Sequence, residues 1–191
     1  MNRQIYEIID KLSDILPEKR YNHSLGVMYT AQCLAMCHGI SLDKAALAGI
    51  LHDCAKYMND VNIIQYCKNN NIEVSESEML SPQLLHSKLG MIFARDVYGI
   101  TDDEILSAIR YHTTGKPMMS ALEQIIFIAD YIEPNRKTVK NINIIRKTAY
   151  EDLDRTCGMI LNNTIEYLKN DTNKHIDSMS LKAYEYYKRH N

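Results

Sequence analysis

The stretch Ala45-Ala46-Leu47-Ala48-Gly49-Ile50-Leu51-His52-Asp53 decides the fold and points to the chemistry. Its first seven residues are small and apolar, the composition of a central helix that other helices approach closely. A histidine and an aspartate follow directly, so both start in a buried setting. An ionised aspartate there costs on the order of several kcal/mol without a compensating charge, which a cation supplies. Neighbouring side chains on a helix diverge by about 100°, so His52 and Asp53 share a site only if it is cradled against the helix surface, with Lys56 along the same side.

Outward from this helix, apolar residues keep helical spacing, as in Ile5, Ile8, Ile9 and Leu12, then Leu25, Met28, Tyr29 and Leu34. No β-like alternation runs long enough to build a sheet, so the pattern predicts an all-α bundle. Helices are expected near 3–15, 18–38, 42–56, 60–70, 82–98, 102–112, 119–133, 139–147, 150–169 and 178–189. Pro17 after Leu16, Ser41 before Leu42-Asp43-Lys44, and Ser81-Pro82 supply the punctuation. The polar stretch from Asn69 to Ser81 reads as an irregular, mobile cover beside His86. Tyr184, Tyr186 and Tyr187 read as the aromatic edge of a carboxy-terminal helix packed on the domain.

At 191 residues and 46% hydrophobic, with few glycines or prolines, the chain is expected to form one domain over 1–191, its core at about 18–170. A net charge of -2 excludes the broad basic face of a nucleic-acid binder but suits a small anionic substrate. Cys33, Cys37, Cys54, Cys67 and Cys157 are odd in number and lack CxxC spacing, so the expected compartment is the cytoplasm. Cys33 and Cys37, among Ala31, Leu34, Ala35 and Met36, read as buried small residues rather than metal ligands. The start, Met1-Asn2-Arg3-Gln4, is too polar for a signal peptide, and no run approaches the ~20 apolar residues of a membrane span.

Four more residues repeat the anomaly of the opening stretch. His23, His86 and His112 stand on their own expected helices, and Asp130 closes the run Ile125-Ile126-Phe127-Ile128-Ala129, where periodicity expects an interior face. Each histidine alone has an ordinary reading, at a helix surface, in a first turn or at a carboxy-terminal helix end. Together, four imidazoles and two carboxylates suffice for two divalent cations that share one carboxylate and keep positions open for water. His38, beside Gly39 at a helix end, and His175 and His190, in polar terminal surroundings, fall outside the set. Such mixed ligands accept manganese, cobalt or zinc.

The segments around these residues are Arg20-Tyr21-Asn22-His23-Ser24, Leu51-His52-Asp53-Cys54-Ala55-Lys56, His86-Ser87, Tyr111-His112-Thr113-Thr114-Gly115 and Ala129-Asp130-Tyr131-Ile132-Glu133-Pro134-Asn135-Arg136. In this order they resemble the YqeK group of HD-domain phosphohydrolases, over roughly residues 18 to 190. The resemblance implies an all-helical HD fold, a di-iron centre and symmetrical hydrolysis of diadenosine tetraphosphate to two ADP. Carried over, it gives His23, His52, Asp53 and Asp130 to one metal, and Asp53, His86 and His112 to the other, with Asp53 bridging.

Symmetrical cleavage requires attack on an inner phosphorus, with positive groups on either flank of the metals. The candidates for substrate contact are Arg20, Lys56, Lys116 and Arg136, with a hydroxyl from Thr114 and a backbone N–H from Gly115. Lys56 has two readings: a catalytic cation that neutralises phosphate beside Asp53, or a group that orients Asp53. Arg136 either clamps a distal phosphate or is an ordinary surface arginine. The expected partner is a small dinucleoside polyphosphate or nucleotide, with a homodimer as the protein-level partner and neither nucleic acid nor membrane. The alternatives are a phosphohydrolase of mononucleotides or guanosine tetraphosphate alarmones, a di-iron oxygenase, and a non-catalytic sensor.

Overall fold

The computed structural model describes residues 3–136, 139–170 and 175–190, the last without its side chain. Among them are eleven α-helices and no strand: α1 (Arg3–Ile15), α2 (Glu18–His38), α3 (Leu42–Leu51), α4 (Asp60–Asn69), α5 (Glu76–Leu80), α6 (Leu85–Asp96), α7 (Asp103–Tyr111), α8 (Ala121–Ile132), α9 (Ile142–Ala149), α10 (Leu153–Lys169) and α11 (Ser178–Tyr187). Short 3-10 turns stand at Pro82–Leu84 and Lys188–His190. Side chains start several helices: Ser41 accepts from the Lys44 amide, Asn59 from that of Asn62, and Ser120 forms a capping box with Glu123. Ser81 precedes its turn without a capping bond, although Pro82 does occupy the first position.

Helices α3 and α8 form the centre. Every residue from Ala45 to Leu51 and from Leu122 to Ala129 is buried, since α2, α7 and α10 pack around them. The closest approach is at Gly49, where an added Cβ would stand 2.8 Å from the Cα of Met28, so α2 and α3 touch backbone to backbone. At the far end α10 packs on α11, which buries Tyr187 completely. The Tyr187 hydroxyl accepts from the Met119 amide at 2.8 Å.

The structure departs from the pattern in three places. Helix α3 stops at Leu51, not at 56, and His52 to Tyr57 follow as turns. His52 Nδ1 donates to the Gly49 carbonyl at 2.7 Å, a group whose helical partner would be the Asp53 amide, and the next bonds tighten to Cys54 N to Leu51 O and Lys56 N to Asp53 O. His52, Asp53 and Lys56 therefore leave the helix end on a tight turn instead of lining one helix side. Second, the polar stretch contains α5, closed by a capping box between Ser75 and Glu78. Third, Cys33 and Cys37 are exposed. The buried face of α2 runs through His23, Val27, Ala31, Leu34 and Ala35, which leaves Tyr29, Cys33, Met36 and Cys37 outward. Apolar residues on all sides of this helix hide the inner face from periodicity.

Candidate metal centre

The residues that break apolar runs converge. His23 comes from α2, His52 caps α3, His86 lies in the first turn of α6, His112 caps α7 and Asp130 stands near the end of α8. Each ring is fixed through Nδ1. His52 donates to the carbonyl of Gly49, His112 to that of Ile109 at 2.8 Å, and His86 to that of Gln83, in each case three residues back. For His52 and His112 these are last-turn carbonyls with no helical donor, so the backbone that needs a partner also orients the ring. His23 Nδ1 donates to Glu133 Oε1 at 3.2 Å instead.

With Nδ1 committed, the four Nε2 atoms face inward and form two triangles. In the first, His23 Nε2 lies 3.3 Å from His52 Nε2 and 3.0 Å from Asp130 Oδ1, with 3.9 Å between the latter two. In the second, Asp53 Oδ1 lies 3.3 Å from His86 Nε2 and 3.6 Å from His112 Nε2, which are 3.1 Å apart. The other oxygen of Asp53, Oδ2, is 3.5 Å from His52 and 3.9 Å from His23. Asp53 thus presents one oxygen to each triangle.

Two imidazoles that both donate from Nδ1 have no hydrogen to share between their Nε2 lone pairs, so a separation of 3.1 Å is repulsive unless a cation lies between them. Ligand atoms about 2.1 Å from one ion stand about 3.0–3.4 Å apart in octahedral or tetrahedral arrangement, close to the spacings here. The donor set fits divalent metal. The first triangle, and the atoms of His52, Asp53 and His112, also each lie within 4.8 Å of one another.

Burial pushes His52 down to about 4 and His86 down to about 3, so both rings are neutral at neutral pH, as metal ligation would require. Burial also pulls His23 down, but its hydrogen bond to Asp130 and the nearby carboxylates outweigh this and raise it. Burial raises Asp53 and Asp130, yet the surrounding histidines hold both well below the usual carboxylate range. The site is ready to bind cations without first losing protons from its carboxylates.

Of the cations named from sequence, Arg20 and Arg136 reach the centre. Arg20 NH1 donates to Asp53 Oδ2 at 2.6 Å, and Arg136 NH2 to Asp130 Oδ1 at 2.9 Å. Both line a cavity of 790 Å³ that includes His23, Glu133 and Asn135. The half-buried Lys56 ammonium makes no hydrogen bond or ion pair among the described residues, while the charges of Asp53, Arg20 and Asp130 act on it. The other three candidates are engaged elsewhere: the Thr114 hydroxyl donates to the Gly115 carbonyl, the Gly115 amide to that of Tyr111, and Lys116 pairs with Glu123 at 2.8 Å. His38 bonds the Ala149 carbonyl and His175 the Ser77 hydroxyl, away from the triangles, while the side chain of His190 lies outside the described residues.

Two residues at the centre carry no role in the sequence reading. Glu133, buried behind His23, packs closely on Gly26, where an added Cβ would stand 2.7 Å from Glu133 Oε2. The Thr113 hydroxyl is 3.2 and 3.1 Å from Nε2 of His86 and His112. Glu133 breaks the apolar pattern just as Asp130 does, and Thr113 adjoins a ligand histidine; these were the available signals.

This geometry, a helical cradle with histidines and a His-Asp pair arranged in two triangles, defines the class of HD-type metal proteins. The sequence pattern that describes the HD domain matches residues 20–135. The symmetrical bis(5'-nucleosyl)-tetraphosphatase of Halalkalibacterium halodurans is 42% identical over 80% of this chain and 81% of its own length. That of Bacillus subtilis is 37% identical over 88% of each. A crystal structure from Clostridium acetobutylicum, described as a predicted HD superfamily hydrolase involved in NAD metabolism, superposes with a TM-score of 0.90 at 42% identity over 97% of both chains. The chain belongs to the HD-domain family, in the YqeK-type branch that holds the symmetrical bis(5'-nucleosyl)-tetraphosphatases.

Proposed function

We propose that this chain hydrolyses diadenosine tetraphosphate symmetrically to two ADP, with two divalent ions, iron in the first place, held by His23, His52, Asp53 and Asp130 and by Asp53, His86 and His112. The observation that carries this reading is Asp53, with Oδ1 in one ligand triangle and Oδ2 facing the other. Bound there, the metal pair would supply an acidic water for attack near neutral pH and positive charge for the phosphoryl oxygens. The names of the relatives support the substrate.

The protein's own groups have separable tasks in this reading. Asp53 sets the spacing of the two ligand sets and is itself oriented by Arg20. Lys56, unpaired and half-buried, is free to meet a phosphate oxygen, which favours its catalytic reading over that of an Asp53 orienter. Arg136 holds Asp130 from the cavity beside His23 and lies within reach of an entering polyphosphate. Glu133 keeps the His23 proton on Nδ1 and so keeps Nε2 toward the centre. The reading covers one domain from residue 1 to 191 working in the cytoplasm. All five cysteines are free, as a reducing compartment keeps them.

Chromatography of the products from diadenosine tetraphosphate, with iron-loaded and chelator-stripped protein side by side, tests the proposal. ADP alone, lost on stripping, is expected. ATP plus AMP would move the attack to an asymmetric position, and unchanged substrate would overturn the assignment in favour of mononucleotides or alarmones.

A further inference from the structure

A second cavity, of 560 Å³, is lined by residues that neighbour the other ligand triangle in sequence, though by none of its ligand candidates. Thr114, on its wall, follows Thr113, whose hydroxyl touches His86 and His112, and Leu84 precedes His86 by two residues. The 790 Å³ cavity, by contrast, contains His23 and adjoins the triangle of His23, His52 and Asp130. The first space thus reaches its triangle at His23, and the second stands beside the other through Tyr111, the residue before His112.

The second cavity has the surfaces that a nucleoside phosphate needs. Leu80, Leu84 and Met179 give it apolar walls, and Tyr111 gives it an aromatic ring. The Lys116 ammonium lies 4.8 Å and the Arg110 guanidinium 5.6 Å from the centre of that ring. Lys116 is neutralised by Glu123. Arg110 is not fully neutralised, because its carboxylate partner Glu78, at 3.2 Å, is shared with Lys88 at 2.6 Å. Two cations thus share one buried carboxylate, on a wall that also carries Glu76 and Asp177. On the rim, Ser77 of α5 meets His175 at 3.2 Å, joining the segments that enclose the space, and the exposed Glu76 offers an acceptor to amino or hydroxyl groups.

A substrate cut at its centre has two equal ends and needs a place for each. We propose that the cavity between α5, Tyr111 and the start of α11 receives the second nucleoside of the dinucleoside tetraphosphate, its base against Tyr111 and Met179 and its nearest phosphate toward Arg110. This inference rests on the hydrolase reading above and assigns the distal half of its substrate. It gives α5, and not a metal ligand, control over whether a two-ended substrate is preferred to a one-ended one.

The test compares kcat/KM of the metal-loaded full chain for diadenosine tetraphosphate with that for adenosine 5'-tetraphosphate, which has a nucleoside at one end only. Ser178→Trp fills the cavity from its exposed rim, and Tyr111→Ala removes the ring. Each is expected to lower the ratio of two-ended to one-ended kcat/KM at least tenfold, mainly through KM, whereas Met36→Ala on the outer face of α2 leaves it unchanged. Calorimetric titration with ADP should give two sites per chain in the parent and one in Ser178→Trp. Should Tyr111→Ala not fold, Ser178→Trp decides alone. An unchanged ratio with two ADP sites retained in a folded variant overturns the cavity assignment and leaves the hydrolase reading standing. Failure of the parent to cleave diadenosine tetraphosphate overturns both, and is seen before any variant is made.

Discussion

His52 and His112 hang from helix ends inside the core, each ring tied to a carbonyl of its own last turn, whereas α5 and the start of α11, which wall the second cavity, are tied by side chains near the surface. In the first region the position of a ligand follows from where a buried helix stops. In the second it follows from a capping box, a shared carboxylate and a serine-histidine contact. The lesson concerns how a change is felt. At the centre a single substitution disturbs chemistry through ligand geometry, while at the cavity wall it alters affinity or local stability and leaves the triangles intact.

The strongest challenge to this contrast is Asp53→Ala, which takes one atom from the second triangle and the oxygen that faces the first. Turnover is expected to fall on the order of 10³-fold or more, with loss of bound metal measured by elemental analysis. Full metal occupancy would show that Asp53 is not shared. Next comes Glu133→Gln, which keeps the shape but weakens the hold on His23 Nδ1; metal affinity should drop about 10–100-fold, read by competition with a chelator. An unchanged affinity would mean that His23 needs no orienting carboxylate.

Gly49→Ala drives a Cβ into the backbone of Met28 and should cost about 1–3 kcal/mol, a fall of Tm of about 2–4 °C per kcal/mol for a chain of this size. Metal affinity should weaken with it, because α2 and α3 carry His23 and His52. Stability lost with affinity intact would uncouple packing from the centre.

The smallest effect belongs to the cavity wall. Burial raises the Glu78 carboxyl, but its bond to Lys88, the Ser75 amide and the charges of Lys88 and Arg110 hold it below its ordinary value. A group lowered on folding stabilises above its unfolded pKa, about 4.3 for glutamate, and loses that contribution as the pH falls through the folded value. Glu78→Gln should therefore destabilise by about 1–2 kcal/mol at pH 7, and by less at a pH below about 4.3, in denaturant titrations. A gap of the same size at both pH values would assign the effect to shape rather than charge.

The all-α architecture was legible because apolar spacing and helix caps agree along most of the chain, and the six polar candidates stood out because each interrupts an apolar run. What escaped depends on three-dimensional competition or on distance. The end of α3 is set by a side chain taking a backbone carbonyl, which periodicity does not register. Glu133 meets His23 across 110 positions. The outward face of Cys33 and Cys37 was hidden by apolar residues on both sides of α2. Helix α5 did leave a trace, since Ser75 and Glu78 have capping-box spacing, but five residues are too few for a period to show.

Gly49 meets α2 through the side chain it lacks and steers His52 through its carbonyl. One residue thus sets both how near the two helices come and which way a coordinating nitrogen points. An ion bound between His23 and His52 would act as a gauge of that crossing: compression of α2 against α3, by hydrostatic pressure for example, should shift its ligand-field spectrum while the rest of the fold keeps its shape.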